Sequence, residues 1–391
     1  MKYNFDEIID RRNTNSYKYD CHERFGKPEG ALPLWVADMD FRIPPQVMAA
    51  IQRCADHGIY GYTCIKDDYF QAVANWFKAS HDYHIQSDWM VQAPGIVFAL
   101  GMAIKGLTAP GDAIVIQKPL YAPIENTIVA NGRVAIDNPL VYNNGRYTID
   151  MADFEKKIVE NNARMFILCN PHNPVGRVWT RDELLQLGQI CRRHNCLIVS
   201  DEIHSDIIFK GHKHLVFSTI CDDFADFSVI CTAPSKTFNL AGLQISNIFI
   251  PNEELRKRFR HEIRASGYGQ LSTMGLASCQ AAYEHGREWL EELMVYLAGN
   301  AAFVQDYLAS HLPQVTTSPL EGSYLQWLDF NRLGMGHDEL ESRLNRELVW
   351  LSSGTSFGGA AGAGFFRVNL ACPRSIVAEA MKRVVKAFET V

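Results

Sequence analysis

Nowhere in the 391 residues do 18 or more apolar residues run together, so the sequence offers no membrane-spanning helix. The first stretch, Met1 to Lys18, is polar and charged throughout and lacks the apolar core of a secretion signal. A cytoplasmic location is therefore expected. No C-x-x-C pair occurs among the ten cysteines, which are scattered from Cys21 to Cys372. The closest two, Cys191 and Cys196 around His194, have poor zinc spacing and fall in a helical pattern, so no metal site is expected. Basic clusters are missing as well. The balance of 38 Lys and Arg against 44 Asp and Glu leaves a net charge of −6, which argues against a nucleic-acid partner. There is no Walker loop, no G-x-G-x-x-G and no H-E-x-x-H, which removes the nucleotide and zinc-protease readings. Repeats, low-complexity tracts and long polar linkers are also absent.

What is present is an ordinary globular composition, 47% hydrophobic and 21% charged, at a length that suits two domains. Short apolar runs alternate with helical patterns through the middle of the chain. Candidate buried strands are Ala113–Gln117, Met165–Cys169, Cys196–Ser200, Ser228–Thr232 and Ser246–Ile250. Between the second and third, Leu184, Leu187, Ile190 and Cys191 recur at helical spacing over 181–194, and Thr180 with Glu183 forms a capping box at its start. Strand, helix, strand in this order predicts an α/β fold with a mostly parallel sheet. From Asn252 to Leu312 the pattern is long helices with a break near Gly267 to Gln270. The tail carries strands near Tyr324–Phe330 and Phe365–Leu370, then a helix from Ser375. The expected division is a large domain over 44–288 and a smaller one from 1–43 and 289–391.

The string Gly354-Thr355-Ser356-Phe357-Gly358 matches the G-x-S-x-G nucleophile elbow. The hydrolase reading needs a histidine later in the chain, and none follows Ser356. The better candidates stand at the carboxyl ends of predicted strands, where ligands bind in open α/β sheets. One strand runs into Asn173, the next into Asp201, and the next into Lys236. An amide, a carboxylate and an amine thus converge on one rim. That trio suits pyridoxal phosphate. Lys236 could form a Schiff base with the cofactor aldehyde and later move the substrate α-proton. Asp201 could keep the pyridine nitrogen protonated, so that the ring accepts electrons, while Asn173 donates to the phenolic oxygen. Gly95, Ile96 and Val97 open an apolar helical stretch whose backbone N–H groups could hold the phosphate.

At these residues the chain resembles the fold-type I pyridoxal-phosphate enzymes of the class I/II aminotransferase superfamily, and more narrowly their cystathionine β-lyase (C–S lyase) branch. The resemblance runs from about Leu32 to Cys372. It is carried by the strings around Asn173, Asp201 and Lys236 and by Leu34–Phe41, Gly58–Tyr62, Gln117–Tyr121 and Phe366–Pro373. It implies a mostly parallel sheet of the seven-stranded type flanked by helices, with a smaller α/β domain from both chain ends. It also implies roles. Lys236, Asp201 and Tyr121 are catalytic, with Tyr121 stacking on the cofactor ring. His204 reaches toward the phenolic oxygen, and Ser235 joins Gly95, Ile96 and Val97 at the phosphate. Arg367, with Asn173, binds the substrate α-carboxylate. Tyr62 reaches the phosphate of a neighbouring subunit, which implies a homodimer with shared active sites. Many aminotransferases carry an arginine eight residues after the lysine; here that position is Gln244, as in the lyase branch. The implied reaction is α,β-elimination from cystathionine, cysteine or cystine, and the alternative is transamination on the same fold.

Overall fold

The computed structural model describes residues 1–389. Its central sheet has seven strands: β1 (Met90–Ala93), β2 (Ala113–Ile116), β3 (Val134–Asp137), β4 (Met165–Cys169), β5 (Leu197–Asp201), β6 (Ser228–Thr232) and β7 (Ser246–Phe249). Their order is β1-β7-β6-β5-β4-β2-β3. Strands β3, β2, β4, β5 and β6 pair in parallel, whereas β7 runs antiparallel to both β6 and β1. The expected α/β class with a mostly parallel sheet is borne out. Two strands escape the apolar-run pattern. β1 is interrupted by Gln92, and β3 is an edge strand whose Val134 is half exposed.

Both faces of the sheet are covered, because successive side chains of a strand point to opposite sides. Phe166 and Leu168 of β4 join one apolar core, and Met165, Ile167 and Cys169 join the other. A strand buried on both faces has no polar alternation, which is why these strands read as continuous apolar runs. The helix after β4 covers Arg181–Arg193, and Thr180 and Glu183 cap it reciprocally as the spacing predicts. The stretch beyond Pro251 divides into Glu253–Ala265, Thr273–His285 and Arg287–His311. Its second break falls at Gly286, where a side chain would collide with the ring of Phe238.

The C-terminal part builds a second sheet in which Leu325–Asp329 and Phe365–Asn369 lie antiparallel at the centre. Leu32–Pro33 pairs in parallel with Val349–Trp350, so the N-terminal segment is woven against the C-terminal part. The Gly354–Gly358 string is a packing device here. A Cβ on Gly354 would strike the carbonyls of Gly362 and Phe365, and one on Gly362 would strike Gly354. Among the described residues no helix is long and apolar enough to cross a membrane.

One buried ion cluster ties the loop after β4 to this second layer. Arg177 donates from Nε to Glu321 (3.0 Å) and from Nη2 to Glu183 (2.9 Å), and it bonds the carbonyl of Tyr147. The side chains of Arg177 and Glu321 are 3% and 2% exposed. Arg177→Met leaves Glu321 with only the half-exposed Arg146 (3.1 Å) and the Val178 N–H (2.9 Å), and we expect a loss of about 1.5–3 kcal/mol in urea unfolding. A variant unchanged in midpoint and slope would show that the pair contributes nothing.

Candidate active site

The carboxyl ends of β1, β2, β4, β5 and β6 open on one cleft of about 640 Å³. The connection from β2 goes to β3 on one side, and β4 leads to β5 on the other, so a crevice opens where the strand order reverses. Asp201 is the last residue of β5, one position deeper than the predicted strand Cys196–Ser200 would place it. Lys236 sits in a four-residue helical turn, Pro234–Thr237, directly after β6. Helix Ile96–Leu107 starts at the cleft with Gly95 as its N-cap, and its first N–H groups lack partners within the helix. Tyr121 occupies the N-cap of helix Ala122–Ala130 after β2. Ser235, Asn173, His204 and Arg367 complete the predicted residues that line the cleft.

Burial dominates the electrostatics. It pulls the Lys236 ammonium down to about 8, although Asp38 and Asp201 pull the other way. The Nζ donates to the carbonyl of Ala37 at 2.7 Å. Burial pushes the Asp201 carboxyl up to about 7, opposed by the N–H of Ile203, which donates to Oδ1 at 3.2 Å, and by Lys236. His204 is held well below its ordinary value by burial and by the cations of Lys236 and Arg367, and its Nδ1 has no partner among the described residues. Arg367 donates from Nη1 to Asn173 Oδ1 (2.8 Å) and from Nη2 to the Trp35 carbonyl (2.6 Å). Its buried Nε has no partner among the described residues, and burial lowers the guanidinium to about 10. The guanidinium lies 4.7 Å from the ring centre of Phe357, within the 354–358 string.

One predicted residue is elsewhere. Tyr62 is 97% exposed, in the irregular segment 58–66, and does not line the cleft of its own chain. Other residues enter that sequence reasoning had given no role. The carbonyl of Ala37 accepts from both Lys236 and the hydroxyl of Tyr324 (2.8 Å). Tyr324 also meets His204 edge to face at 5.9 Å. Trp35 and Ala37 belong to the family-like string Leu34–Phe41, which was the available signal; Tyr324 had none. A shallow groove near Lys27 lies apart from these groups, and that amine is already paired with Glu341 and Asn345.

The profile of the family described as aminotransferase class I and II matches residues 31–384. The chain belongs to that family. It is 42% identical to cystathionine β-lyase PatB of Bacillus subtilis over 98% of this chain and all of that protein. Among solved structures it is similar to a pyridoxal-phosphate-bound protein from Clostridium difficile 630, with a TM-score of 0.96 and 41% identity over 99% of this chain and 100% of that one. It is also similar to a pyridoxal-phosphate-bound C–S lyase from Staphylococcus hominis, with a TM-score of 0.92 and 32% identity over 99% and 98% of the two chains.

The donor set of the cleft fits pyridoxal phosphate. A buried amine of lowered basicity, a buried carboxyl, a helix N-terminus and unpartnered nitrogens on His204 and Arg367 each match a group of a cofactor with bound amino acid. Burying these ionisable groups costs stability. The Asp201 carboxyl ionises near 3.8 in an unfolded chain and near 7 in the folded one, so folded protein holds the extra proton between those values. Stability contributed by this group is therefore lost as pH rises from about 4 to 7 and stays low above that range. Cofactor-free Asp201→Asn protein should be more stable than the parent at pH 8, by on the order of a few kcal/mol, with the gap closing toward pH 4. Thermal melting across that range checks the sign; a gap that widens on acidification would contradict it.

Proposed function

We propose that the protein is a pyridoxal-phosphate-dependent C–S lyase that cleaves cystathionine, cysteine or related amino acids by α,β-elimination. The carrying observation is that Lys236, Asp201 and Arg367, far apart in sequence, meet in one buried cleft of a chain similar throughout to a cystathionine β-lyase. The bound cofactor supplies an aldehyde for the amino group and a ring that withdraws electrons from Cα.

The chain's own residues supply the rest. Arg367 offers its unpaired Nε to the substrate α-carboxylate, while Asn173 holds Nη1 and the Trp35 carbonyl and Ser352 hydroxyl hold Nη2. Lys236, with its basicity lowered to about 8, can take the Cα proton near neutral pH and return it to a leaving group. Asp201 holds a proton at the ring nitrogen, and the N-terminus of helix Ile96–Leu107 with Ser235 holds the phosphate. Tyr121 walls one side of the ring. Gln244 lines the cleft without adding a charge. When the Cβ–S bond breaks, the thiol leaves, and water releases pyruvate and ammonia from the remaining three-carbon unit.

The same reading takes the protein as a cytoplasmic homodimer with shared active sites. Ile59, Tyr60, Tyr62 and Ile65 expose their apolar side chains together on segment 58–66, a surface suited to burial against a second copy. All ten cysteines are free thiols, compatible with a reducing compartment. The deciding experiment follows thiol and pyruvate from cystathionine, cysteine and cystine without any keto acid. Equal release of both supports elimination. Turnover that requires a keto-acid acceptor overturns it in favour of transamination. Sedimentation should give twice the chain mass.

A further inference from the structure

Next to the cleft, but not lining it, lies a buried cluster of His81, Glu202, Asp206 and His214. Their side chains are 5%, 0%, 4% and 1% exposed. Glu202 follows Asp201 in sequence. Its Oε1 accepts from Ser200 Oγ (2.8 Å) and the Phe217 N–H (2.9 Å), and its Oε2 contacts His214 Nε2 at 2.8 Å. Asp206 is engaged in the same manner. Its Oδ1 accepts from Trp76 Nε1 (3.0 Å) and contacts His81 Nε2 (2.8 Å), and its Oδ2 accepts from Thr237 Oγ1 at 2.8 Å. Thr237 follows Lys236. The two imidazoles meet edge to face with ring centres 5.5 Å apart. Buried contacts therefore run without a gap from the neighbour of Asp201 to the neighbour of Lys236.

We propose that Asp206 and Glu202, with His81 and His214, are positioning residues that set Lys236 against Asp201. The proposal rests on the reading of Lys236 as the cofactor-bearing amine. The turn that carries Lys236 is only four residues long, too short to hold a direction by its own hydrogen bonds. Asp206 supplies the missing anchor, because Thr237 fixes the turn from the residue beside the amine. A buried carboxylate is costly unless fully bonded, and packing alone would be served as well by apolar side chains. Three donors on each carboxylate instead give each a fixed orientation. Because the contacts reach the site through Thr237 and Glu202, the effect is on geometry and not on contact with substrate.

Thr237→Val tests this, since valine keeps the shape and deletes only the hydroxyl. Two readings are needed: the rate at which pyridoxal phosphate restores the visible band of cofactor-stripped protein, and kcat against KM for the loaded enzyme. We expect Thr237→Val to slow band recovery and lower kcat, each by about tenfold to a hundredfold, with KM little changed. Thr237→Ser, which keeps the hydroxyl, should restore both. Asp206→Asn, the same size as the parent residue, should move both readings in the same direction. If Thr237→Val or Asp206→Asn recovers the band and turns over like the parent, or if serine fails to rescue, the proposal is overturned. Were the parent chain itself unable to form the band, the cofactor reading would fail and the proposal with it, an outcome distinct from the variant results.

Discussion

A Lys236→Ala chain is expected to fold normally and to lose turnover by roughly 10²–10⁴-fold or more, the lower bound being the contribution of a positioned proton-transfer group by itself. Loss of the amine that would bond the cofactor deepens the effect, so no visible cofactor band should form. Folding should survive for two reasons. Burial already works against the Lys236 cation, pulling it down to about 8, so deletion removes an unfavourable charge. The Ala37 carbonyl it leaves behind still accepts from Tyr324 at 2.8 Å and is not orphaned. Absorbance, pyruvate release and a melting curve on one preparation settle the matter. Turnover within tenfold of the parent, with intact folding, would remove Lys236 from the chemistry.

The second large effect is at Arg367. Its guanidinium is buried, fixed by Asn173, Trp35 and Ser352, and carries an Nε with no partner among the described residues. A substrate carboxylate completes that donor set in a water-poor cleft, where an ionic hydrogen-bonded pair counts most. Removing one partner of such a pair costs about 2–5 kcal/mol, so kcat/KM of Arg367→Ala should fall by roughly 30- to 5,000-fold. Arg367→Lys keeps the charge but cannot bond Asn173, Trp35 and a carboxylate at once. It should therefore resemble alanine more than the parent. The cofactor band should be retained in both variants, which separates this loss from that of Lys236. An Arg367→Lys enzyme with parental kcat/KM would show that charge alone suffices and that the fork is not used.

Much of this site was legible because it is local. Asn173 and Lys236 follow buried strands and Asp201 ends one, and the apolar runs that mark those strands are strong signals wherever both faces are covered. The capping box at Thr180 and Glu183 was legible for the same reason, since its bonds span three residues. Strand β3 was not, because an exposed edge strand lacks the apolar density that marks the central ones. The Gly354–Gly358 string matches a nucleophile elbow, but the absence of a later histidine already excludes that chemistry, and the structure uses Gly354 for close backbone packing against Gly362 and Phe365.

By itself, then, the sequence determined the α/β class, the strand-end rim and the residue types gathered there, because each depends on neighbours a few positions apart. Only the tertiary structure decided which groups touch. The Lys236 amine meets a carbonyl 199 residues away, Arg367 meets Asn173 across 194, and Tyr324 enters the site with no local signal. Those pairings follow from how the two layers close on the cleft. Burial there lowers Lys236 and raises Asp201, a shift that no spacing along the chain encodes.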